Sequence, residues 1–237
     1  ETTREVYCYD TETGELVWRK VVEGVKGSPA EPPKVTEDTG HAAPTMAVHG
    51  KQVFAIFANG DVVSYTAEGE LLWGVNVGVP DNHYGHSSSL LAYDKLLYVQ
   101  RDDSAKPLVL ALDVATGKEV WQSERHAISW ASPILAQTNL GPQLILNSEE
   151  TVDAYAPDTG KLLWSQKCLG GEVAPSPAYA DGTVFAANEF AVASLIKIDG
   201  TPEAIETEVV WEYDSFLPEV SSPLLDGERA YIATSAG

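Results

Sequence analysis

Apolar residues along this chain fall in short runs separated by Gly, Asp, Asn and Pro, and almost nowhere at helical spacing. That pattern predicts strands and tight turns. Five segments share one layout: "AAPTMAVHGKQVFAIF", "SSSLLAYDKLLYVQ", "ASPILAQ" with "QLILN", "PSPAYADGTVFAAN" and "SSPLLDGERAYIAT". In each, a small-residue lead-in opens an apolar run, a polar turn follows, and a second apolar run closes a hairpin. A third strand comes next, such as "DVVSYT", "LVLALDV" or "TVDAYAP", then a TG or EG turn and a fourth strand such as "KEVWQSE" or "KLLWSQK". Glycine there relieves the positive φ of the turn, and the preceding Asp or Thr can bond its backbone.

Each fourth strand carries a tryptophan. Trp18, Trp73, Trp121, Trp164 and Trp211 are 55, 48, 43 and 47 residues apart. Four strands repeating at about 45 residues predict an all-β protein, a β-propeller of four-stranded antiparallel blades. Blades are expected near residues 42–77, 87–124, 131–167 and 175–213, in one domain over 1–237. The last departs from the pattern, because "IDGTPEAIETEVVW" replaces the TG turn. Residues 1–20 supply only third and fourth strands, and residues 221–237 only a first and second. Either these pair as a fifth blade that closes a disk and removes exposed sheet edges, or the chain is a piece of a longer, roughly seven- to eight-bladed propeller. The Pro-, Gly- and charge-rich stretch "EGVKGSPAEPPKVTEDTG" at 23–40 reads as a surface loop, since the repeat continues in phase on both sides.

Charge narrows the partners. Lys plus Arg number 15 against 35 Asp plus Glu, a formal net charge of −20, which repels nucleic acid and anionic lipid. No apolar stretch is long enough to be a membrane helix, and no secretion signal opens the sequence. Cys8 and Cys168 have no metal-ligand spacing around them, and a disulfide between them stays open.

"LALDVATGKEVW" and "DAYAPDTGKLLW" resemble the tryptophan-docking repeat of quinoprotein propellers, roughly AxDxxTGKxxW. The chain is thereby similar throughout to the PQQ-like β-propeller superfamily. In character it is closest to the PQQ-binding-like repeat proteins and to the propeller lipoprotein of the β-barrel assembly machinery, which are not enzymes. The resemblance implies that the five tryptophans dock blades together, and that the protein is bacterial and exported to the periplasm. It does not imply pyrroloquinoline quinone. The superfamily's quinone-dependent dehydrogenases carry adjacent cysteines and a calcium site that this sequence lacks, so no cofactor is expected.

Candidate chemistry lies in the loops that lead into each innermost strand and those between second and third strands, which share one propeller face. Aligned three residues before the innermost strands stand His41, His86 and Trp130, and the same class of loop holds Asn82, His83, Tyr84, His126 and Glu172. The second-to-third-strand loops add Asn59, Asp61, Arg101, Asp102, Asp103, Glu149, Glu150, Asn188 and Glu189. Imidazoles among carboxylates can ligate a metal ion or form an acid/base pair if blades bring them together; otherwise they are a hydrated polar lining. Tyr84 and Trp130 offer stacking surfaces. No nucleophile elbow or phosphate loop is present. The expectation is a non-enzymatic scaffold binding a protein or a small polar ligand through this face, with a quinone- or metal-dependent oxidoreductase or sensor as the alternative.

Overall fold

The computed structural model describes residues 3–37 and 39–234. Every element assigned among them is a strand. β1 (Glu5–Tyr9) and β2 (Leu16–Val21) form a two-stranded sheet. Four sheets of four consecutive strands follow: β3 (Ala47–His49) to β6 (Leu71–Asn76) through β4 (Gln52–Ile56) and β5 (Asp61–Thr66); β7 (Leu91–Tyr93) to β10 (Glu119–Glu124) through β8 (Leu96–Arg101) and β9 (Leu108–Asp113); β11 (Ile134–Thr138) to β14 (Leu162–Lys167) through β12 (Gly141–Asn147) and β13 (Thr151–Tyr155); β15 (Ala178–Ala180) to β18 (Ala204–Tyr213) through β16 (Thr183–Ala187) and β17 (Ala193–Thr201). β19 (Leu224–Leu225) and β20 (Ala230–Tyr231) make a second two-stranded sheet. Antiparallel meanders of four strands are propeller blades.

The first and last hairpins, β1–β2 and β19–β20, are each a two-stranded sheet among the described residues. Within each the strands pair antiparallel, Cys8 opposite Trp18 and Leu224 opposite Tyr231.

The chain divides into two compact units, residues 1–99 with 111–120 and residues 100–110 with 121–237. In the first, Val6, Ala55, Phe57, Val63 and Tyr65 form a buried cluster flanked by Trp18 and Val25. In the second, Ile145, Val152, Ala154, Val173, Val184 and Ile196 do the same between the β11–β14 and β15–β18 sheets. Middle strands are buried along their length, as β5 and β13 are, because both of their faces are covered. The fourth strands alternate or are exposed, as β18 is.

Two contacts recur between neighbouring sheets of one unit. The first joins a fourth strand to the next sheet's turn: Trp18 Nε1 donates to Ala67 O at 2.9 Å, Trp73 Nε1 to Val114 O at 2.9 Å, and Trp121 Nε1 to Pro157 O at 3.0 Å. The second joins innermost strands through serine hydroxyls, which accept from the backbone one sheet earlier: Thr45 N to Ser89 Oγ at 3.1 Å, Ser132 N to Ser176 Oγ at 2.8 Å, and Ser176 N to Ser222 Oγ at 3.0 Å. The small lead-in residues of the sequence are thus acceptors that leave room for a neighbouring strand.

Candidate functional site

In the first unit the loop face is organised around a buried carboxylate. Asp61 opens β5, is fully buried, and accepts from Ser28 Oγ at 2.9 Å, Asn59 Nδ2 at 2.8 Å and Asn76 Nδ2 at 2.7 Å. Arg4 Nε lies 3.2 Å from the same carboxylate. A buried anion is tolerable only when paired and hydrogen-bonded, and here four groups from four segments share that task. One is Ser28 of the 23–40 segment. That stretch is a surface loop with anchored points: Asn59 also donates to Ser28 Oγ, Thr36 N donates to His83 O at 3.0 Å, and Val25 lies against Gly74.

His41 is half-buried, and its carbonyl accepts from Ala58 N at 3.0 Å. His86 is turned inward, 3% exposed, with Nε2 2.9 Å from Gly78 O. Exposed His83 stacks obliquely on Tyr84, ring centroids 4.2 Å apart, and Asn82 Oδ1 accepts from Tyr84 N at 2.8 Å. Residues 80–86 thus form a self-bonded turn in which histidine is a packing and stacking group.

In the second unit the centre is a guanidinium. The side chain of Arg125 has no exposure; it is ion-paired to Asp102 and donates to Ser129 Oγ at 3.1 Å and Asn147 O at 2.7 Å. Gln100 Nε2 donates to Asp102 Oδ2 at 2.9 Å and Ala131 O at 3.0 Å, and Asn147 Nδ2 to Pro175 O at 2.8 Å. Amides at the ends of second strands thus hold the following lead-in loop in both places. Buried Asp153 accepts from Thr151, at 2.9 Å, and from Ser165, with His126 Nδ1 3.4 Å away on the exposed side.

Of the other expected residues, Trp130 is half-buried, and its backbone N–H donates to Val173 O at 2.8 Å. Glu149 is half-buried, while Glu172 and Glu189 are exposed. Glu150 pairs with Lys167 at 2.7 Å, which holds its carboxyl below the usual range, through the hydrogen bond first and the charge second. Asn188 ties this face together by donating to Gly170 O at 2.6 Å and Glu172 O at 3.1 Å.

Asn59, Asp61, Asp102 and Asp103, expected to face the channel, are therefore buried; the requirement to pair a carboxylate away from water draws them into the blade ends. His41, His83 and His86 belong to the first unit and His126 to the second. Among the described residues no three of His, Cys, Asp and Glu are grouped to hold a metal ion. Cys8 and Cys168 are both free thiols, and burial pushes the Cys168 thiol up to about 12. This donor set does not fit the calcium and vicinal-cysteine surroundings of a quinone cofactor. Arg125 had no motif to mark it, since a lone Arg in "SERHAISW" reads as a surface residue until the fold buries it.

Sequential four-stranded blades, with a tryptophan of one sheet bonded to the turn of the next, define a β-propeller of the PQQ-like class. The family model described as outer membrane protein assembly factor BamB matches residues 1–126 and 148–237, and the chain belongs to that family. Among solved structures, BamB from Moraxella catarrhalis aligns with a TM-score of 0.68 at 17% identity, over 98% of this chain and 65% of that one. A quinohemoprotein alcohol dehydrogenase from Pseudomonas putida HK5 aligns with a TM-score of 0.54 at 15% identity, over 87% of this chain and 39% of that one. This chain thus spans a little under two thirds of the BamB structure. No curated protein matches it by sequence.

Proposed function

We propose that this protein is a non-enzymatic, exported scaffold that binds a protein partner in outer-membrane protein assembly through the loop face of its second unit. Family membership supports the setting, periplasm included. One observation carries the surface: Phe190, in the loop between β16 and β17, is 59% exposed, and Phe216 and Val220, in the connection to β19, are 73% and 66% exposed. Large apolar side chains left in water on a rigid face mark interaction sites. Phe216 is also held at φ 51, a conformation costly for an aromatic residue and sustained only by its surroundings. Glu189 and Glu219 share these loops, and Asn188 ties the Glu172 backbone to the first of them, giving the apolar anchors an anionic rim.

A photo-crosslinking amino acid at Phe190 or Phe216, in cells of the source bacterium, tests the reading. It should capture an outer-membrane assembly component, whereas the same group at exposed Val48, in the β3–β4 hairpin, should not. Equal capture at all three positions, or none at any, would overturn it.

A further inference from the structure

The first unit holds a cavity of about 670 Å³, in the range of ligand sites. It opens between the start of β1, the end of β2 and residues 29–32 of the long insertion. Its lining is largely polar, with Val22 and Phe57 as its buried apolar members, and Pro29 and Pro32 stiffen the insertion along one side. That side is held in place by Ser28, which bonds buried Asp61, so the cavity is part of the folded unit.

Its charges do not balance. The ionisable lining is Arg4, Glu23, Glu31 and His41, and the Arg4 guanidinium is committed to Asp61, whose side chain has no exposure. Glu23 and Glu31 are exposed, and no ion pair holds either among the described residues. Two uncommitted carboxylates in a largely polar cavity with a small apolar patch suit a side chain whose short contact stem ends in a cation. The volume exceeds a single side chain, which leaves room for main chain as well.

We infer that this cavity receives a lysine- or arginine-bearing extended segment of a partner polypeptide, its stem on Val22 and Phe57 and its head at Glu23 and Glu31. The assignment rests on the protein-binding reading above but places a second contact on a different unit. The net charge of −20 steers a basic segment toward any part of the surface; the cavity decides where it stays.

The test is fluorescence anisotropy of a labelled five-residue Gly/Lys/Arg peptide against the whole chain, with cadaverine as free-amine competitor. Glu23→Gln with Glu31→Gln should weaken binding about tenfold, from two partly desolvated charges. Ala30→Trp, which fills the mouth and keeps every charge, should weaken it at least as much. Glu206→Gln with Glu208→Gln, which removes equal charge from exposed positions of β18, should leave it unchanged, and circular dichroism verifies that each variant folds. Peptide binding that ignores both cavity variants, no binding to the unaltered chain, or equal affinity for cadaverine would overturn the assignment. Cross-linking at Phe190 and Phe216 is read separately, so failure of this site and failure of the scaffold reading give different results.

Discussion

Trp73 occupies the space that a side chain on Gly117 would need. A Cβ there would lie 2.5 Å from Cε3 of the indole, whose Nε1 bonds Val114 at the start of the same turn. Gly160 stands in the same relation to Trp121, at 2.4 Å, and Gly69 to Trp18, at 2.9 Å. Turn glycine and tryptophan recur together because Gly69, Gly117 and Gly160 each receive the tryptophan of the preceding sheet. Trp164 shows the rule from the other side: the following sheet has no TG turn, and its Nε1 donates instead to Gln143 Oε1 of its own sheet, at 2.7 Å.

Gly14 and Gly117 separate the two demands on the turn. Their φ values are 72° and 69°, but a Cβ on Gly14 would meet nothing within 4 Å. Gly14→Ala should cost about 1–2 kcal/mol, the backbone strain alone. Gly117→Ala should add about 1–3 kcal/mol for overpacking against the indole. Urea unfolding of both variants checks this, and equal costs would mean that the indole moves aside freely.

Arg125→Met should destabilise the chain by about 3–5 kcal/mol, because Asp102 would keep its burial and lose its counter-ion. Adding Asp102→Leu should recover much of that loss, a coupling that a double-mutant cycle measures. Independent, additive effects would contradict the pairing.

Cys168 should resist iodoacetamide at mildly alkaline pH in the folded chain and react once urea unfolds it, while half-buried Cys8 reacts in both states. Burial is the main cause of the raised value, with the Ser194 hydroxyl opposing it and the charges of Glu212 and Asp153 adding to it. A thiol raised from 9.0 to about 12 on folding favours the folded state's neutral form. Its contribution is complete below pH 9.0 and is lost as pH rises toward 12, since only the unfolded chain gains by ionising. Cys168→Ala should flatten that alkaline loss in a pH series of unfolding midpoints.

Ser28→Ala should cost about 1 kcal/mol for the lost bond to Asp61, and its sharper effect should be local. Residues 29–37 should become the first site of limited proteolysis, while the β3–β6 sheet keeps its protection. Unchanged cleavage would show that Val25 and Thr36 hold the segment without Ser28.

The blades were legible because their signals are local. Short apolar runs, a glycine where φ must be positive and one tryptophan per copy all lie within a single repeat, and the replaced turn at "IDGTPEAIE" already set the last copy apart. The polar residues were legible only as a set of loops. Asp61 and Glu189 look alike in sequence, yet the first is fully buried beneath four donors and the second is exposed.

By itself, then, the sequence determined the strand order, the repeat, the acidic charge and the turn chemistry, since each depends on neighbours a few residues away. Tertiary structure alone decided that Arg4 meets Asp61 and Arg125 meets Asp102, that His86 turns inward, that the 23–40 segment becomes a cavity wall, and that Phe190, Phe216 and Val220 stay in water. Those outcomes depend on which distant groups reach a buried charge, and on where folding leaves too few apolar partners to cover a side chain.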